Sequence, residues 1–82
     1  MHFVYFLRSL MNGDLYVGST ENVENRFQLH NAGKVRSTKF YRPWQLLDYE
    51  VYSSRGEAVR RERFLETGQQ KELLKRKFNM AR

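Results

Sequence analysis

The sequence predicts an α+β fold: a small three-stranded antiparallel sheet with three helices packed on it, in the order ββαβαα. Three observations carry this. Two strand-forming runs, Phe3-Val4-Tyr5-Phe6-Leu7 and Leu15-Tyr16-Val17-Gly18, flank Asn12-Gly13, the dipeptide that most favours a tight hairpin because both residues tolerate positive φ. Two later segments each open on a capping signal and close on a glycine. At 82 residues, with 40% hydrophobic and 15% aromatic side chains, the chain can close one core and not two, so residues 1–82 are expected to form a single domain.

The elements follow in order. The hairpin comes first. Thr20 and Asn22 are candidate N-caps for a helix from Val23 to Asn31, because their side-chain oxygens can accept from the unpaired amides of the first turn. Ala32-Gly33 stops that helix. Residues 34–43 read as a basic loop in which Lys34, Arg36, Lys39 and Arg42 lie among Ser37, Thr38 and Tyr41, with Pro43 at its end. Trp44 leads into a third strand, Gln45 to Tyr52. Ser54 and Glu57 make a capping box, which opens a helix to Glu66. Thr67-Gly68 breaks it, and Gln69 to Phe78 forms the last helix, held by Leu73, Leu74 and Phe78.

Composition narrows the function. Fifteen Lys and Arg oppose nine Asp and Glu, giving a net charge of +6 and a pI near 10.0. Such a chain favours polyanions: nucleic acid first, an anionic membrane surface second. A basic chain with no polyanion partner is the plain alternative. The absence of cysteine excludes a disulfide framework, a thiolate nucleophile and cysteine-ligated zinc, and it fits a reducing compartment. No run approaches the ~20 apolar residues of a membrane span. Met1 to Arg8 is apolar, but it has no basic start and no small-residue cleavage site, so it reads as a strand, with a cytoplasmic location expected.

Several polar residues fall where a plain core would not put them. A helix turns ~100° per residue. Val23, Phe27 and His30 therefore share a stripe, with Arg26 beside it and one turn from His30. Ala58, Glu62 and Leu65 form a second stripe, which turns a carboxylate inward. Three arrangements suit it: an ion pair with Arg26, a bound cation, or exposure at the edge of the stripe. His30 suits a satisfied half-buried histidine as well as a catalytic one. With a two-residue turn, Tyr5 opposes Thr20 and Ser9 opposes Tyr16, so Tyr5, Tyr16 and Gly18 share one face. A four-residue turn keeps that parity. Ordinary amphipathic packing accounts for either tyrosine taken singly, and a close backbone contact for Gly18.

The ordered set resembles the GIY-YIG nuclease superfamily, especially its small stand-alone bacterial members. Phe3-Val4-Tyr5 is similar to the first motif, with phenylalanine where the family has glycine, and Tyr16-Val17-Gly18 to the second. Arg26 and His30 fit the helix that carries the family's essential arginine. Glu57-Ala58-Val59-Arg60-Arg61-Glu62 resembles the segment whose second glutamate holds the metal. Asn31-Ala32-Gly33-Lys34 and Arg42-Pro43 are similar to loops of the small type.

The resemblance implies a metal-dependent endonuclease that hydrolyses phosphodiesters, of DNA more readily than RNA, in repair or recombination. It implies one Mg²⁺ or Mn²⁺ on Glu62, a hard cation suited to carboxylate and water. Arg26 would clamp the phosphate. Tyr5 or Tyr16, with a lowered pKa, would take the proton of the attacking water, and His30 would orient or shuttle. Gly18 would let backbone approach the phosphate. Lys34, Arg36, Lys39 and Arg42 would bind flanking phosphates, with Tyr41 or Trp44 stacking on an unpaired base. No organic cofactor or membrane partner is implied, and a monomer is the default. Phe3 in place of glycine, and Asn79 as the only candidate for the superfamily's late asparagine, favour a second expectation. In it the chain keeps the scaffold as a nucleic-acid-binding module with little turnover.

Overall fold

A computed structural model of the protein describes residues 1–80. Three strands, β1 (His2–Ser9), β2 (Leu15–Thr20) and β3 (Trp44–Tyr52), form an antiparallel sheet in the order β2-β1-β3. Helix α1 (Val23–Asn31) follows the hairpin, and α2 (Arg55–Leu65) and α3 (Gly68–Lys77) follow β3. A short 3-10 turn at Lys39–Tyr41 interrupts the basic loop. This is the expected ββαβαα arrangement.

The central strand is covered on both faces, which is why its sequence is a continuous apolar run instead of an alternating one. Val4 and Phe6 join Leu15, Val17, Ala58, Leu65 and Leu74 on the α2–α3 face. Tyr5 and Leu7 join Trp44, with Tyr16, Val23, Phe27 and Leu46, on the α1 face. In β3 the pairing slips between Phe6↔Asp48 and Leu7↔Leu46. This bulge sends Leu46 to the α1 face and Leu47 to the other, so both adjacent leucines are used. Beyond it Glu50 accepts from the Tyr52 hydroxyl at 2.7 Å and pairs with Arg61 of α2 at 3.1 Å.

Local signals account for the helix ends. Asn22, and not Thr20, caps α1, its Oδ1 accepting from the Asn25 amide at 3.0 Å. Thr20 instead accepts from the Asn22 amide at 3.2 Å. Ser54 caps α2, accepting from the Glu57 amide at 3.2 Å. The last helix departs from expectation in one respect: Leu74 and Phe78, one turn apart, pack inward, while Leu73 is 47% exposed and does not hold it.

Candidate functional site

The hairpin turn sets the register. Ser9 and Asp14 close it, with the Ser9 amide donating to Asp14 O at 2.8 Å and Gly13 N to Ser9 O at 2.8 Å. Four residues lie between them, so the expected two-residue turn is corrected. Tyr5 faces Gly18, not Thr20, and Leu7 faces Tyr16. The buried Ser9 hydroxyl favours this longer turn by accepting from the amides of Met11 and Asn12, both at 3.1 Å. Parity survives, and Tyr5, Tyr16 and Gly18 lie on one face, toward α1.

Gly18 is buried, and what it makes room for is the phenols. A β-carbon there would lie 2.5 Å from Tyr5 Oη and 2.9 Å from Tyr16 Cε2. The expectation that its bare backbone meets a phosphate is therefore corrected: two aromatic rings occupy that space.

His30 is fully buried. Its Nε2 lies 2.8 Å from Tyr5 Oη and its Nδ1 2.7 Å from Thr38 Oγ1. The Thr38 hydroxyl donates to Val35 O at 3.4 Å. With that donation, Nδ1–H donates to Thr38, and Nε2 accepts from the Tyr5 hydroxyl. Burial, reinforced by the Arg26 guanidinium, lowers the pKa of His30 to about 4, so the ring is neutral at pH 7.

The phenols depart from expectation. Burial and then the neighbouring Tyr16 push the Tyr5 pKa upward, against the lowering effect of Arg26. Burial and then the Glu62 charge raise that of Tyr16, while Arg26 and a hydrogen bond from Ser37 lower it. Both are phenols, not phenolates, at pH 7, which corrects the expected lowering.

Glu62 is half-buried on α2 and accepts from the Ser19 hydroxyl at 2.7 Å. Among the described residues no Lys or Arg nitrogen lies within 4.0 Å of its carboxylate, so the ion pair with Arg26 does not form. Ser19 points to the α2 face and Tyr16 to the α1 face, and β2 is an edge strand. The cluster thus wraps the outer edge of β2, with Glu62 on one side, Arg26 on the other, and the charges of both acting on Tyr16. A surface hollow of about 360 Å³ opens beside Ser19 and Arg26, lined also by His2, Thr20, Glu21, Arg55 and Val59. No trio of His, Cys, Asp or Glu that could hold a metal occurs among the described residues. A half-buried carboxylate with no cationic partner among the described residues still suits a Mg²⁺-like ion, which keeps most of its shell as water and substrate oxygen.

The basic loop is tied down at several points. Trp44 Nε1 donates to Thr38 O at 3.1 Å, and Ser9 Oγ to Tyr41 O at 2.6 Å. The Asn31 side chain bonds both the amide and the carbonyl of Trp44, at 2.6 and 3.1 Å. Trp44 is 4% exposed, so it is a core residue and not a stacking platform, contrary to expectation. Lys34, Arg36, Tyr41 and Arg42 are exposed and Lys39 partly so. Arg42 also has a local role: it packs on Gly33 and donates to Lys39 O at 2.7 Å. Asn79, two residues beyond α3, has φ 59° and lines a different hollow, beside the hairpin turn.

Sequence reasoning missed Ser19, Ser37, Thr38 and Arg55. Only the contacts of the folded chain single out these small or surface residues. Phe40, an aromatic inside a cationic run, did carry a signal.

Residues 1–79 match the family described as the GIY-YIG catalytic domain. The chain is 44% identical over 75 residues to a UPF0213 protein of Staphylococcus haemolyticus, covering 90% of each, and 37% identical over 75 residues to one of Staphylococcus epidermidis, again covering 90% of each. Among solved structures, the solution NMR structure of a UPF0213 protein from Bacillus halodurans superposes with a TM-score of 0.55 at 32% identity, covering 89% of this chain and 80% of that one.

Proposed function

The chain belongs to the GIY-YIG catalytic domain family, and from that premise we propose that it is a divalent-metal-dependent endonuclease that hydrolyses DNA phosphodiesters. The observation that carries this reading is the placement of Arg26 and Glu62, from two helices, around one sheet edge, where Ser19 bonds Glu62 and shares a surface hollow with Arg26, and both charges act on Tyr16. Membership of a nuclease family and a net charge of +6 support nucleic acid as the substrate.

Arg26 binds the non-bridging oxygens of the scissile phosphate and offsets the charge that grows on them as water attacks. Tyr16, half-buried, orients that water and, as a phenolate, accepts its proton. Tyr16 first gives its own proton to solvent, while Tyr5 stays a phenol that donates to His30 Nε2 at 2.8 Å and holds the inner side of the cluster in place. The phosphorus–oxygen bond to the leaving sugar breaks as the new one forms. Glu62 would hold one Mg²⁺ or Mn²⁺, which supplies Lewis-acid stabilisation of the phosphate and leaving oxygens when bound. Neutralising the Glu62 charge also removes a cause that holds the Tyr16 pKa up, which makes it easier for Tyr16 to shed its own proton and stand ready as a phenolate.

Supercoiled plasmid and branched DNA, incubated with and without Mg²⁺, test this. Cleavage by the wild-type protein with Mg²⁺, abolished in Glu62→Ala while binding persists, is the expected result. No cleavage of either substrate by the folded wild-type protein, with binding intact, would establish the second reading, a binding module that keeps the scaffold. The protonated state of both phenols favours that second reading.

A further inference from the structure

Nothing in the nuclease mechanism uses the most exposed aromatic in the basic loop. Phe40 is 71% exposed and Tyr41 next to it is 44% exposed. Exposed aromatics on a loop usually reflect slack in the chain, but this loop has little. Thr38 is buried against His30 and holds Trp44 Nε1 through its carbonyl. Tyr41 O accepts from Ser9, Leu10 N donates to Pro43 O at 2.8 Å, and Arg42 donates to Lys39 O. The loop is therefore pinned on both sides of Phe40 and still presents the ring to water. The ring thus keeps most of its apolar surface in water on a fixed stretch of backbone, where a planar partner can reach it.

Its surroundings specify the occupant. Lys39 Nζ sits 5.0 Å from the Phe40 ring centroid, and Arg36 and Arg42 are exposed on the same loop. A flat apolar face with an ammonium at 5.0 Å, on a basic loop, matches a nucleobase with its flanking phosphates. The acidic residues nearest in sequence, Glu24 and Asp48, lie outside the loop. Thr38, two residues before Phe40, bonds His30 at 2.7 Å, so the loop that carries the ring also touches the inner side of the reactive cluster.

We propose that Phe40 is a stacking platform for one unpaired nucleobase next to the cleaved phosphate, so that the preferred substrate is nucleic acid with an extruded or single-stranded nucleotide and not intact duplex. This rests on the nucleic-acid reading above. In paired DNA both faces of each base are already stacked, so the ring finds a partner only where pairing is interrupted.

The test uses the full chain in EDTA, which prevents cleavage. One probe is a fully paired oligonucleotide duplex, and the other is the same duplex with a two-nucleotide bulge carrying 2-aminopurine. The wild-type protein is expected to bind the bulge more tightly and to quench the 2-aminopurine. Phe40→Ala should lose about tenfold in bulge affinity, together with the quench, and leave duplex affinity unchanged. Phe40→Trp should restore both. Equal affinity of wild-type and Phe40→Ala for the bulge, or equal loss on both probes, overturns the proposal and leaves the nuclease reading standing. Binding of neither probe at low salt overturns both. Vesicles of phosphatidylglycerol form a further arm: Phe40-dependent vesicle binding without bulge preference assigns the ring to a membrane surface and overturns the proposal.

Discussion

At Gly18 a single missing side chain decides where two phenols sit. Substituting alanine there puts a methyl group against Tyr5 Oη and Tyr16 Cε2, neither of which can retreat from a covered sheet face. Gly18→Ala is expected to cost about 1–3 kcal/mol in urea unfolding and to break the Tyr5–His30 hydrogen bond. His30 makes an acid-sensitive prediction with a definite sign. Its pKa falls from 6.5 to about 4 on folding, so between those values the unfolded chain binds more protons than the folded one. Its stabilising contribution is complete above pH 6.5 and is lost as pH falls toward 4, to a limit of about 3 kcal/mol. Urea unfolding at the two ends of that window should show the loss in the wild-type protein and much less of it in His30→Gln. At Tyr16, the Glu62 carboxylate raises the pKa, so Glu62→Gln should move the tyrosinate absorbance transition to lower pH, with Tyr16→Phe used to assign it. These side chains could be singled out in the sequence by periodicity alone: Arg26, His30 and Glu62 sit on stripes that ought to be apolar. Their electrostatics could not be read that way, because burial of the phenols depends on packing between elements distant in the chain.

Among the elements, α1 carries Arg26 and His30 on nine residues, too short to be stable without its cap. Asn22→Ala removes the bond to the Asn25 amide and should destabilise the protein by about 1 kcal/mol, measured by thermal unfolding. Caps, strand runs and helix breaks are chemical signals confined to a few adjacent residues, and for that reason the order ββαβαα was legible without coordinates. The hairpin length was not. Asn12-Gly13 fits a two-residue turn equally well, and what selects four residues is the Ser9 hydroxyl, buried beneath a loop some 30 residues further along. The bulge in β3 was hidden for a related reason, since Leu46-Leu47 breaks the alternation without saying on which face each belongs. Trp44 looked available because it borders a basic loop; its burial comes from Asn31 and Thr38, which a local reading cannot bring to it.

For the molecule as a whole, the basic loop and the hollow lined by Arg26, Arg55 and Glu21 place cations at two points on the surface. Binding to DNA should weaken steeply with salt, and Arg36→Ala should reduce the slope of log affinity against log salt by about 1, as for one phosphate contact. Glu62→Ala should leave that slope unchanged, and fluorescence anisotropy across a salt series checks both. The lone tryptophan has a further consequence. Its indole is clamped to the backbone of the loop and lies within 6.5 Å of the imidazole of His30 and 6.1 Å of the ring of Tyr16. The protein therefore carries an unlabelled optical gauge of its own centre. Selectively excited emission should shift when an oligonucleotide docks and dim when acid charges the adjacent ring.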